Sequence, residues 1–94
     1  MVTITNRAKQ ELKRVGERLD LEMGKFLRLA TPPMWVGEGD FGIVIAEELD
    51  GDRLVEHEGT VVLLVDWDLM ERMPKAVLDF KESAEGARFT LDVF

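Results

Sequence analysis

The sequence has no cysteine, and that absence excludes more chemistry than any residue present establishes. Within one chain it removes disulfides, thiolate nucleophiles, zinc sites of the cysteine type and iron–sulfur clusters held by cysteine. Histidine occurs once, as His57, and one imidazole cannot complete a typical zinc or iron site. Ser83 is the sole serine. It stands in an acidic turn without the G-x-S-x-G surroundings of a hydrolase nucleophile. Gly37-Glu38-Gly39 lacks the further glycines and the Lys-Ser/Thr ending of a phosphate loop. The longest apolar run, Val61-Val62-Leu63-Leu64-Val65, is far shorter than the roughly 20 residues a membrane span needs. The opening Met-Val-Thr-Ile-Thr-Asn-Arg carries no secretory pattern, so a cytoplasmic location is expected. A net charge of −7 with no local Lys/Arg cluster repels phosphate, so neither nucleic acid nor anionic membrane is an expected partner. The same charge keeps the chain soluble and could attract a basic protein.

What is present describes a globular protein. The hydrophobic fraction is 46% and the charged fraction 33%, in the range of folded domains rather than disordered chains. The length suits one domain over residues 1–94, without repeats, linkers or low-complexity segments. Ala8, Leu12, Val15 and Leu19 recur at steps of four, three and four, which predicts a helix over residues 5–20 with Thr5 as N-cap. Arg14 and Arg18 lie toward its C-terminal end, where the helix dipole favours cations. Gly16 weakens it, and a close approach to a neighbouring strand would explain the glycine.

From Phe26 the period becomes two. Strands are expected at 26–30 and 41–47, with a loop holding two prolines and two glycines at 31–40. Asp50-Gly51 reads as a tight hairpin turn returning through residues 53–56, and Glu58-Gly59 as a second turn. Residues 61–65 are apolar on both faces and predict a strand buried on both sides. Residues 66–73 predict a short helix, with Asp68 and Glu71 as a capping box and Pro74 as its stop. Two closing strands follow at 76–81 and 87–93. In the last, Phe89, Leu91 and Val93 point inward and Arg88, Thr90 and Asp92 outward. The order predicts an α+β fold: a compact mixed β-sheet or β-sandwich-like core with one N-terminal helix and one short helix.

Several short motifs resemble, in order and spacing, the A-type iron–sulfur carriers, the HesB-like or IscA-like domain. Ile4-Thr5-x-x-Ala8 is similar to the family's entry to its first helix. Leu27-Arg28-Leu29 stands at its first core strand, and Phe41-Gly42-Ile43 after its cluster-binding loop. Glu56-His57-Glu58-Gly59 followed by residues 61–66 resembles the acidic-His-Asp-Gly hairpin and the valine-rich strand ending in Asp. Leu78-Asp79-Phe80 and Phe89-Thr90-Leu91 resemble the two closing strands. The family carries one cysteine in the loop after its first core strand and a Cys-x-Cys pair after its last. Here residues 31–40 hold none, and the sequence ends at Phe94, where the pair would begin. The resemblance therefore implies the fold and a relation to cluster biosynthesis, without thiolate cluster binding and without a cofactor.

Among other candidate sites, the acidic pairs Glu47-Glu48, Asp50/Asp52 and Asp66/Asp68 do not form a calcium loop, and Asp50 and Asp68 read as turn and cap residues. Met70, Met73 and Leu69 read as core filling rather than a soft-metal site. Trp67 reads as closing one end of the sheet. Trp35 lies in a loop beside two prolines rather than in a periodic segment. Pro33, Met34 and Trp35 occupy the loop that carries the family's first ligand, and Met and Trp are enriched at contact surfaces. They are the expected protein-contact residues. The reading is a non-enzymatic protein related to iron–sulfur cluster carriers that acts on a protein partner or as a homo-oligomer. Its alternative is a small-molecule or metal-cation binding module on the same fold.

Overall fold

A computed structural model describes residues 2–93 of the chain. Its elements run β1 (Thr3–Ile4), α1 (Asn6–Leu19), β2 (Lys25–Ala30), β3 (Gly42–Glu47), β4 (Arg53–His57), β5 (Thr60–Val65), α2 (Trp67–Arg72), β6 (Val77–Ser83) and β7 (Gly86–Asp92). The strands form two sheets, ordered β1-β6-β7 and β3-β2-β5-β4. This is the α+β arrangement that the order of elements predicts.

Thr5 caps α1 as expected: its Oγ1 accepts from the Ala8 N–H at 3.2 Å. The same hydroxyl donates to Asp79 Oδ1 at 2.7 Å, so the first helix is clipped to the middle of β6. That bond, with one from the Phe80 N–H, holds the Asp79 carboxyl below its ordinary value. Ala8 and Leu12 are fully buried and Val15 packs at the core margin. The apolar face ends there, because Leu19 is half exposed at the last turn.

Gly16 does not admit a strand. A Cβ at this position would meet only Leu21 Cδ1, at 3.9 Å, so no close approach accounts for the glycine. Gly16→Ala is expected to raise the unfolding free energy by about 0.5–1 kcal/mol, by removing backbone freedom from the unfolded chain. Urea melts of the two proteins would check this; a lower midpoint in the variant would mean that the helix is strained here.

The four-stranded sheet holds most of the core. β5 lies inside it, parallel to β2 and antiparallel to β4, and Val62, Leu63, Leu64 and Val65 are all buried. The double-faced apolar run thus becomes a central strand. β4 and β5 are joined by Glu58-Gly59, both at positive φ (52° and 80°). That is the backbone a two-residue turn matched to strand twist requires.

The Asp50-Gly51 turn corrects a sequence expectation. It does not close a hairpin, because β3 and β4 lie at opposite edges of the sheet with β2 and β5 between them. β3 is antiparallel to β2, which is parallel to β5, which is antiparallel to β4. The first and last therefore run in the same direction, whereas a tight hairpin turn joins adjacent antiparallel strands. Residues 48–52 instead cross the sheet diagonally, from the level of Lys25 to that of Leu29.

Smaller corrections concern the last third. Asp66, not Asp68, caps α2: Asp66 Oδ1 accepts from the Asp68 N–H at 2.9 Å. Trp67 lies against the Gly51 turn and is largely exposed rather than closing the sheet. Met70 and Met73 pack on the core as filling, and Leu69 is buried. β6 extends to Ser83 and leaves a short turn before Gly86. Phe89 stacks on Phe80 with ring centroids 5.0 Å apart. Phe89 and Leu91 are nevertheless only half buried, and Val93 is exposed. The fully buried anchor of this sheet is Leu78, opposite Leu91.

Candidate functional site

The face of the four-stranded sheet crossed by residues 48–52 carries an open groove of about 840 Å³. Its floor includes Ala30, Val44, Ala46 and Leu69, and its rims are the 32–34 segment on one side and Leu49 on the other. Strand alternation explains the floor. Leu27 and Leu29 turn to the core, so Arg28 and Ala30 turn to the groove beside Val44 and Ala46.

Arg28 is the unusual residue. Placed in the middle of an apolar strand and covered by the crossing segment, it is only 8% exposed. A buried guanidinium requires a partner. Asp52 supplies it: Arg28 Nη1 donates to Asp52 Oδ1 at 2.8 Å and Nη2 to Asp52 Oδ2. Nη2 also donates to the Glu47 carbonyl at 3.0 Å. Asp52 Oδ2 in turn accepts from the Leu49 N–H at 2.7 Å. The pair therefore ties the crossing segment down onto β2. The hydrogen bonds to Asp52 raise the Arg28 pKa, and those to Arg28 hold the Asp52 carboxyl below its ordinary value.

Four more charged groups of the groove form two further ion pairs. Lys25 Nζ donates to Glu47 Oε1 at 2.7 Å and lowers that carboxyl's pKa. Arg72 Nε donates to Asp68 Oδ2 at 2.8 Å, and its Nη2 to the buried Thr31 hydroxyl at 3.0 Å. Asp66 is engaged in capping α2. The groove thus offers an apolar floor ringed by neutralised ion pairs. Glu47 and Asp52 are held below the ordinary carboxylate range by their cationic partners, which disfavours them as proton donors near neutrality.

The loop residues named from sequence separate in space. Pro33 and Met34 form the groove rim, and Met34 is 80% exposed. Trp35 turns back from it. Its ring lies over Gly37 and Gly42, where a Cβ on Gly42 would fall 2.3 Å from a ring carbon, and its Nε1 donates to the Glu38 carbonyl at 3.0 Å. Gly42 is therefore the seat of an aromatic ring that anchors the loop to the start of β3.

The remaining candidates do not converge. His57 ends β4, largely buried, with Nε2 3.4 Å from Glu58 Oε1. Ser83 Oγ donates to the Gly86 carbonyl at 2.9 Å and accepts from Glu85, a turn role. Among the described residues, no three His, Cys, Asp or Glu side chains gather in a way that could hold a metal ion. No helix among them is long and apolar enough to cross a membrane. Sequence reading missed the Arg28–Asp52 pair, although an arginine inside Phe-Leu-Arg-Leu-Ala was a signal that a countercharge must lie nearby.

No protein-family model and no curated protein matches the sequence. Solved structures do match. Escherichia coli SufA, involved in biosynthesis of iron–sulfur clusters, aligns with a TM-score of 0.64 over 98% of this chain and 84% of its own, at 23% identity. IscA with the [2Fe–2S] cluster aligns at 0.60 over 99% and 82%, at 24% identity. A protein from Aquifex aeolicus, solved by NMR, aligns at 0.62 over 97% and 89%, at 25% identity. What the chain shares with them is the HesB/IscA-like α+β fold, as the motif resemblance implies.

Proposed function

We propose that this chain, which has the fold of the A-type iron–sulfur carriers, is a non-enzymatic relative of those proteins that acts through protein contact and without thiolate cluster binding. A cytoplasmic setting belongs to this reading. The observation that carries it is the loop of residues 31–40, the segment in which the resembling family places its first cysteine ligand. Here it holds no thiol and instead presents Pro33 and Met34 at the rim of an apolar groove, with Trp35 bracing the loop from behind. Prolines and a seated aromatic lower the entropy the loop would lose on binding, and an exposed methionine adapts to varied apolar partners.

Met34→Lys tests this reading. Met34 is 80% exposed, so its melting temperature should match that of the parent, while proteins retained from a lysate of the source organism by the tagged chain should be lost. Met23→Lys is the control, at a fully exposed methionine outside the groove, and should retain them. Equal capture by all three proteins would sink the contact role. Iron and sulfide at stoichiometric levels after anaerobic reconstitution would show that the chain holds a cluster without thiolates of its own, and would sink the reading that it acts by contact alone.

The alternative of a small-molecule binding module is favoured by the same groove, whose volume falls in the ordinary range for small ligands. Its metal-cation form lacks a converging donor set among the described residues.

A further inference from the structure

The inner face of α1 is incomplete toward its C-terminal end. Ala8 and Leu12 are fully buried, and a side chain at position 16 would stand one turn further along the same face. That position is a glycine, and a Cβ there would meet only Leu21 Cδ1, at 3.9 Å. The glycine weakens the helix by about 0.5–1 kcal/mol relative to alanine, and no packing within the chain accounts for it. The sheet beneath registers the gap. β2 and β5 are buried over their last four residues, whereas Phe26 and Val61, near the start of each, stay partly exposed. Between helix and sheet lies a slot of about 420 Å³, with Leu12, Leu21, Phe26, Leu27, Val61 and Val62 in its walls, a volume within the range of small-ligand sites. Apart from Lys25 at its edge, the slot shares no lining residue with the groove.

The mouth of the slot is charged, and unevenly. Lys13 Nζ lies 3.4 Å from Glu58 Oε1 and Lys25 Nζ 2.7 Å from Glu47 Oε1, so both cations already have partners. Glu17 and Asp20 also line the mouth. They are exposed and form no ion pair among the described residues. α1 ends at Leu19, which sets the negative end of its dipole beside them. A guest in the slot therefore meets apolar walls and an excess of negative charge. We propose that this slot binds a small organic cation with an apolar body, of the alkylammonium type. Its chain takes the place of the side chain missing at Gly16, and its ammonium group lies against Glu17 and Asp20. Charge complementarity selects the cation: an anion would be repelled at the mouth, and a neutral chain would gain nothing there. The inference does not depend on what Pro33 and Met34 bind.

Octylammonium chloride is the probe, with octanoate and octanol as the anionic and neutral controls of equal chain length. Measurements at physiological salt screen the general attraction of a cation to a chain of net charge −7. The melting temperature should rise with octylammonium concentration and much less with either control. Gly16→Leu fills the slot from within, so it should melt above the parent without the probe and gain nothing from it. The double variant Glu17→Gln, Asp20→Asn should bind octylammonium several-fold more weakly and octanol as the parent does. Asparagine suits position 20, where φ is 51°. Amide NMR on the unmodified chain needs no variant: octylammonium should shift residues 16–21, 26–27 and 60–62 saturably and leave residues 44–49 of the groove in place. Absence of binding, equal binding of octanoate, an undiminished gain in Gly16→Leu, full affinity in the double variant, or shifts centred on the groove would each overturn the proposal.

Discussion

Asp52→Asn is expected to lower the unfolding free energy by about 3–5 kcal/mol, the usual cost of removing one member of a buried ion pair. The side chains of Arg28 and Asp52 are only 10% and 3% exposed, so solvent cannot take over the lost countercharge. The amide can still accept hydrogen bonds, but it leaves a guanidinium buried without compensation. The pair also anchors residues 48–52, so proteolysis at the Asp50-Gly51 turn should become faster in the variant.

Acid provides a second readout. The Arg28 hydrogen bonds hold the folded-state pKa of Asp52 below its ordinary value of 3.8. A depressed carboxyl contributes stability that is present above the unfolded value and is lost as pH falls through the folded value. The parent should therefore lose this contribution below about pH 4, and the variant, which never had it, should show a flatter acid limb. Parallel acid limbs in denaturant titrations would remove Asp52 from the stability of the fold.

Leu78→Ala should cost about 3–5 kcal/mol as well, for a different reason. Leu78 is fully buried, it faces Leu91 across the three-stranded sheet, and its carbonyl accepts from the Thr5 N–H at 3.0 Å beside the start of α1. A cavity there lies between a helix and two strands, none of which can close it without breaking its own hydrogen bonds. Arg88→Ala, exposed on β7, should cost less than about 0.5 kcal/mol. Chemical melts giving similar losses at the two positions would mean that the sheet packs differently from its register.

The two largest effects differ in how legible they were. Leu78 falls in one of the two closing strands expected from sequence, but only the last strand, with Phe89, Leu91 and Val93 inward, offered a clean alternation from which to name core residues. Alternation reports which face a residue takes and not how far that face is covered. β7 is an edge strand, so its inward face stays half open. The Arg28–Asp52 pair was harder to foresee. The partners are separated by 24 positions, and their meeting depends on residues 48–52 crossing the sheet rather than turning back. Asp50-Gly51 is a good local turn in either case, and the turn alone does not say which strand comes next.

Features that rest on a few adjacent residues were legible without the fold: the Thr5 cap, the helical stripe from Ala8 to Val15, the two-residue turn at Glu58-Gly59, the doubly buried run at 61–65 and the absence of any thiol. These follow from side-chain spacing and backbone preference, which act within one or two turns of chain. Tertiary structure decided the strand order, and with it everything at the groove. It made β3 and β4 parallel, laid the crossing segment over Arg28, turned Trp35 onto Gly42 while leaving Met34 at the rim, and left a slot beside Gly16. Each of these depends on which distant segments become neighbours. That choice is made by burial and backbone pairing across the whole chain, and local propensity carries no record of it.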